Sequence, residues 1–295
     1  MLIRFFRGAS CLSRLGSILM AGLIILTLCL CPALFTGVQP ARADSTSSEG
    51  QGSNTEIAKE LSNPIADLVH LPIQMNYEQD IGPDDDGWRL QTNLQPVIPF
   101  HLTEDWNLIS RTIIPVTHQE DILPGAGSQS GLGDTTLSLF FNPKKRGGIL
   151  WGAGPIMHLP TATNSLLGTE KWGAGPSAIV LTQRGPWTVG SLGHHIWSFA
   201  GDRDRADLSF TFLQPFAAYT WPNAWTASVG SESNYNWKTE KWSVPANVAV
   251  SKVVRLGKLP VRFQAVVGYF VESPDEGPEG FRFRFQVNLV LPRRR

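Results

Sequence analysis

The chain has 295 residues, with 25 basic and 25 acidic side chains and three cysteines. This length holds one large β domain or two smaller ones, and the balanced charge lacks the basic excess that nucleic-acid binding requires. Mean hydropathy is near zero, at −0.07, which does not exclude a membrane barrel, because its lipid-facing and lumen-facing residues alternate and cancel.

Residues 1–43 read as a signal peptide. Arg4, Arg7 and Arg14 form a basic start, an apolar run covers residues 15–35, and Ala41-Arg42-Ala43 is an A-x-A cleavage site. An uncleaved anchor, or a lipoprotein using Cys29 or Cys31, is the alternative. All three cysteines lie in this segment, so the exported chain has no disulfide framework and no thiol metal site. Subtracting the segment's four arginines leaves 21 basic against 25 acidic residues, a formal charge of about −4. No later stretch approaches the roughly 20 apolar residues of a membrane helix. A membrane location therefore requires a closed barrel, since an open sheet leaves backbone groups unpaired in lipid.

Residues 44–56 are rich in Ser, Gly, Thr and Glu and read as disordered. Residues 57–67 carry Ile57, Leu61 and Ile65 at helical spacing, with Pro64 limiting the length. This short helix is placed at the mouth of the barrel or in its lumen, as a candidate plug. Period-two alternation then predicts twelve strands, over residues 69–77, 88–98, 106–116, 132–141, 149–158, 172–182, 187–199, 207–219, 225–235, 243–253, 261–271 and 280–291. Each is close to the nine to eleven residues that a tilted strand needs to cross a bilayer. The last is the plainest. Phe281, Phe283, Phe285, Val287, Leu289 and Leu291 alternate with Arg282, Arg284, Gln286 and Asn288.

Connections alternate long and short, as they do between the outer loops and periplasmic turns of an outer-membrane barrel. Trp88, Trp106, Trp172, Trp187, Trp225 and Trp242 stand near strand starts, and Trp197 and Trp237 near strand ends, where an interfacial aromatic girdle is expected. Trp-Gly-Ala-Gly-Pro occurs at both 151–155 and 172–176; these glycines suit neighbouring strands that bend or are closely approached. The fold class is thus all-β, a transmembrane antiparallel up-and-down barrel of about 12 strands with a short N-terminal helix. The barrel and its helix occupy residues 57–291 and a basic tail residues 292–295.

Phasing turns Arg89, Gln91, Asn93, Gln95, Arg111, Arg262, Gln264, Arg282, Arg284, Gln286 and Asn288 toward the lumen. Arg89, Arg262, Arg282 and Arg284 come from the first two and last two strands, which meet at the closing seam. They form a cationic stripe that favours anions, or each pairs with a carboxylate such as Asp134, Asp207 or Glu272. Asp84-Asp85-Asp86 lacks calcium-loop spacing and reads as a solvated turn. His194-His195 point to opposite faces of a strand, and the other histidines lack metal-ligand spacing. No cofactor and no catalytic motif is expected.

The mature chain resembles the bacterial outer-membrane family labelled "meta-pathway of phenol degradation". The likeness rests on Asn63-Pro64-Ile65-Ala66-Asp67-Leu68, Leu71-Pro72-Ile73-Gln74-Met75-Asn76-Tyr77, Gly131-Leu132-Gly133-Asp134 and His195-Ile196-Trp197-Ser198-Phe199-Ala200-Gly201. The resemblance implies an outer-membrane barrel that takes up small, aromatic compounds, and supplies no catalytic residues. The chain departs from the usual aromatic C-terminus of such barrels by ending Leu291-Pro292-Arg293-Arg294-Arg295. The expectation is an outer-membrane channel or transporter for small solutes, aromatic or anionic, with no chemical step. Its partners are outer-membrane lipid, the barrel-assembly machinery and the solute. A membrane-embedded barrel hydrolase and a structural or adhesive surface barrel are the alternatives.

Overall fold

The computed structural model describes residues 46–144 and 148–292. The expected signal segment, residues 1–43, and the tail arginines at 293–295 lie outside them. A helix, α1 (Thr46–Glu60), is followed by fifteen strand segments: β1 (His70–Ile81), β2 (Gly87–Leu94), β3 (Val97–His101), β4 (Trp106–Glu120), β5 (Ser128–Leu132), β6 (Thr135–Pro143), β7 (Leu150–Leu159), β8 (Lys171–Arg184), β9 (Trp187–Gly201), β10 (Ser209–Thr220), β11 (Trp225–Ser231), β12 (Ser233–Asn236), β13 (Lys241–Leu256), β14 (Leu259–Glu272) and β15 (Phe281–Val290). Three wall strands are interrupted, which makes pairs of β2 with β3, β5 with β6, and β11 with β12. The chain therefore crosses the wall twelve times. All pairings are antiparallel between sequence neighbours, and β1 closes onto β15 from His70↔Val290 to Tyr77↔Phe283. The result is a closed barrel, the all-β architecture expected from the alternation.

Burial is inverted relative to a water-soluble barrel. Val180, Val229, Val248, Val267 and Phe283 are each 47% or more exposed on the outside, while Thr188, Asn288 and Ser251 are at most 3% exposed inside. Rings gather in two bands. At the end with short turns, Trp106 contacts Trp151 and Trp187 contacts Tyr219, with centroids 5.9 and 5.0 Å apart. At the end with long loops, Tyr235 lies against Trp237 and Trp242, and Tyr269 against Phe281. An apolar outer belt between two aromatic bands is what a bilayer requires of a spanning barrel. Two-residue turns at Gly185-Pro186 and Gly257-Lys258 use positive φ at the glycines, 54° and 63°.

The repeated Trp-Gly-Ala-Gly-Pro motifs lie side by side on β7 and β8, with Pro155 opposite Pro176. A Cβ at Gly154 would collide with the Leu139 carbonyl oxygen, and one at Gly175 with that of His195. Glycine is needed here because the neighbouring backbones approach too closely for any side chain.

The helix departs from expectation at both ends. It starts at Thr46 and stops at Glu60, rather than covering 57–67 with disorder over 44–56. Composition alone reads the polar start as disordered, but the barrel supplies partners for it. Arg255 donates to the Asn54 and Ser53 side chains at 3.0 and 2.8 Å, and Thr55 donates to the Pro222 carbonyl at 2.7 Å. The helix ends early because Asn63 Oδ1 takes the Ile65 amide at 3.0 Å, a local turn that Pro64 reinforces. Past the helix the chain enters the bore, where Asn63, Ile65 and Ala66 are 1%, 2% and 0% exposed. Ile65 packs against Val97, Ile109, Phe140, Ile179, Leu181 and Leu192 of the inner wall.

Candidate functional site: the lumen

Two of the three interruptions of the wall strands have a chemical cause in proline. At Gln95-Pro96 and at Glu232 the ladder meets prolines, which have no N–H to donate. Glu232 separates β11 from β12, beside a stretch of β10 that contains Pro215 and one of β13 that contains Pro245. An acid at mid-wall is costly against lipid, so the strand turns Glu232 into the bore. There it takes Arg284 Nη1 on one oxygen at 2.7 Å and Arg284 Nη2 on the other at 2.6 Å, a bidentate pair. The second oxygen also accepts from Arg282 Nη2 at 3.2 Å. Above it, Arg89 donates to Glu78 at 2.7 Å, and Arg282 Nε lies 4.0 Å from the same carboxylate.

Three arginines of the predicted stripe, Arg89, Arg282 and Arg284, are therefore paired. Their partners are Glu78 and Glu232, not Asp134, Asp207 or Glu272. Asp134 and Asp207 are at the looped end, where Asp207 instead pairs with Lys171 at 3.0 Å. Arg111 and Arg262 meet no carboxylate within 4.0 Å among the described residues. Arg111 donates to Gln95 at 3.1 Å, Gln95 to Gln74, and Gln74 to Gln286 at 2.9 Å, a chain of side chains that continues around the wall. Arg262 Nη1 donates to the backbone carbonyl of Leu61 at 2.8 Å. Five guanidinium groups and two carboxylates leave these seven groups with a net charge of +3.

A cavity of about 350 Å³ occupies this part of the bore. Of the predicted residues, Asn93, Arg111, Arg262, Gln264, Arg284, Gln286 and Asn288 line it, and so does Gln95. Arg89, Gln91 and Arg282 lie outside its lining. Gln91 binds Asn93 at 2.9 Å. Residues 61–64 of the inserted segment form its floor. Sequence reasoning overlooked Glu78 and Glu232; His70 and Gln74 fall on the polar face of the predicted first strand but were not among the candidate site residues. Glu232 carried a usable signal, since it stands within the predicted strand 225–235 that otherwise suits a membrane wall; Glu78 lies one residue past the predicted 69–77 and joins the wall only in the longer observed β1.

At the looped end Asp134 clamps the connection between β7 and β8. It accepts the amides of Ala162 and Thr169 at 3.2 and 2.6 Å, the Thr169 hydroxyl at 2.8 Å and His158 Nε2 at 3.2 Å. Burial raises its pKa, but the hydrogen bonds from His158 and Thr169 outweigh that and bring it down to about 2. A depressed carboxyl stabilises above its unfolded pKa, near 4, and loses that contribution as pH falls through its folded value. Pepsin nicking at Leu166-Leu167 is therefore expected to increase severalfold between about pH 4 and pH 2 in the native chain. Asp134→Asn should be nicked at the faster rate already at pH 4; equal rates for the two proteins there would remove the clamp.

His158 Nε2 faces both Asp134 and the Thr169 hydroxyl, and its Nδ1 has no partner among the described residues. A hydroxyl–imidazole–carboxylate relay, which needs both ring nitrogens engaged, is not formed there. His194 stacks on Phe212 inside, with centroids 4.8 Å apart, and His195 sits outside at 4.0 Å from Trp197, so the two histidines do face opposite ways. Among the described residues no group of three or more His, Cys, Asp or Glu could hold a metal.

No protein-family model and no curated protein matches the sequence. Among solved structures, the fold is similar to an outer membrane channel from Pseudomonas putida F1, with a TM-score of 0.61 and 17% identity, covering 76% of this chain and 96% of that one. The KdgM porin in complex with disordered oligogalacturonate has a TM-score of 0.46 at 13% identity, covering 76% of this chain and 100% of its own. Outer membrane phospholipase A from Escherichia coli has 0.46 at 12% identity, covering 82% and 98%. At these identities the likeness is one of fold.

Proposed function

We propose that this protein is an outer-membrane channel for small solutes that favours anions and is held closed by its own N-terminal segment. The observation that carries the reading is the polar cavity in the bore, with Arg111 and Arg262, which have no carboxylate within 4.0 Å among the described residues, on its walls and residues 61–64 as its floor. The outer belt of apolar and aromatic side chains supports a location in lipid, and the fold of the Pseudomonas putida channel is compatible with it. Residues 1–43 act as the cleaved export signal, and the barrel-assembly machinery inserts the chain. The resemblance to the phenol meta-pathway family adds small aromatic compounds to the solutes to be tried.

Reconstitution into a planar bilayer under a salt gradient tests the reading. The expected result is a low, fluctuating conductance whose reversal potential lies on the anion side, because the five arginines and two glutamates at and beside the cavity sum to +3. A cation-side reversal potential removes the anion preference. Absence of any conductance or solute flux, with the N-terminal segment deleted as well, removes the channel.

A further inference from the structure

The buried Arg262 guanidinium has an unusual partner for a permanently charged group. Its Nη1 is bound to the Leu61 backbone carbonyl at 2.8 Å, a neutral acceptor supplied by the inserted segment. Its Nε is enclosed without a partner, and no carboxylate lies within 4.0 Å among the described residues. Beside it on β15, Asn288 is 1% exposed and its Oδ1 also lacks a partner among the described residues. Both side chains line the 350 Å³ cavity, on the floor that residues 61–64 complete. A guanidinium binds a carboxylate in a charge-assisted, two-pronged manner that a single carbonyl cannot match.

We infer that Arg262 is a ligand-exchanged latch: a small carboxylate in the cavity takes the Arg262 guanidinium from the Leu61 carbonyl and so releases the inserted segment from the bore. The inference rests on the channel reading and names the solute class for the same site. The walls specify more than a charge. Val97, Ile113, Phe212, Phe216 and Val266 also line the cavity, so the solute that fits has an anionic head and an apolar body. A cavity of this size lies at the lower end of the range for small-molecule sites. Arg111, the other guanidinium with no carboxylate within 4.0 Å among the described residues, lines the same space and attracts the head on its way to the floor.

The test uses sodium hexanoate as the carboxylate, with hexanol, hexylammonium and sodium chloride at equal ionic strength as controls. In a chain with Cys11, Cys29 and Cys31 replaced by Ser, Ser62→Cys reports on the segment through its rate of maleimide labelling. This readout does not require conduction. Hexanoate is expected to accelerate labelling about tenfold, corresponding to about 1.4 kcal/mol, while the three controls leave it unchanged. With Arg262→Gln added, labelling should be fast from the start and indifferent to hexanoate. A heat-dependent gel-mobility shift confirms that each variant is folded. Acceleration by hexanol as strong as by hexanoate overturns the carboxylate assignment. Slow labelling in Arg262→Gln, or no response to hexanoate in the native background, overturns the latch. The channel reading fails by another route, if the chain lacking the inserted segment conducts nothing.

Discussion

Replacing Glu232 by Gln is expected to destabilise the barrel by about 3–5 kcal/mol, the cost of removing one partner from a buried charge pair. The carboxylate binds Arg284 through both oxygens and Arg282 through one, and the side chains of the three residues are 21%, 11% and 8% exposed. Gln keeps the shape and one acceptor but cannot compensate two guanidinium charges. The loss should appear as a lower urea midpoint for the gel-mobility shift of the folded barrel. Adding Arg284→Gln to the same chain should recover part of the stability, because the unpaired charge is then removed; this double-mutant cycle isolates the pair from general damage. The variant should also move the reversal potential further to the anion side, since the net charge of the seven groups rises from +3 to +4. An unchanged urea midpoint would show that the network is solvated and adds nothing to the fold.

Deleting residues 46–67 is expected to raise the time-averaged conductance by roughly 30- to 150-fold. Burial of an Ile side chain is worth about 2–3 kcal/mol, and an element held by that amount leaves the bore open about 0.6–3% of the time. Ile65 makes that contact with the inner wall, at 2% exposure, against Val97, Ile109, Phe140, Ile179, Leu181 and Leu192. The deletion removes no wall strand, since β1 begins at His70. Ile65→Ser should move the conductance in the same direction by a smaller factor. If the deleted chain conducts no more than the native one, the constriction lies elsewhere, and the guanidinium–carboxylate network around Glu232 becomes the next place to look.

The sequence by itself determined the wall. Lipid on one side and a polar bore on the other impose period two on every strand, and that pattern is local, so runs such as residues 280–291 are readable without knowing their neighbours. The inward direction of Arg111, Arg262, Arg282 and Arg284 follows from the same phase. The partners of these arginines were not readable, because Glu232 reaches Arg284 across three strand-to-strand steps of the sheet, and sequence separation carries no information about that distance. Nor was the apolar lining of one side of the bore. Ile109, Phe140, Ile179 and Leu192 face inward against the polar rule because Ile65 covers them, and only the folded position of the inserted segment explains their exception. The helix shows the same division. Its polar start has no local reason to be ordered, and becomes ordered where Arg255 and the Pro222 carbonyl meet it. Alternation is a response to solvent, which each residue meets alone; ion pairs, the plug and its latch depend on which residues closure of the barrel brings together.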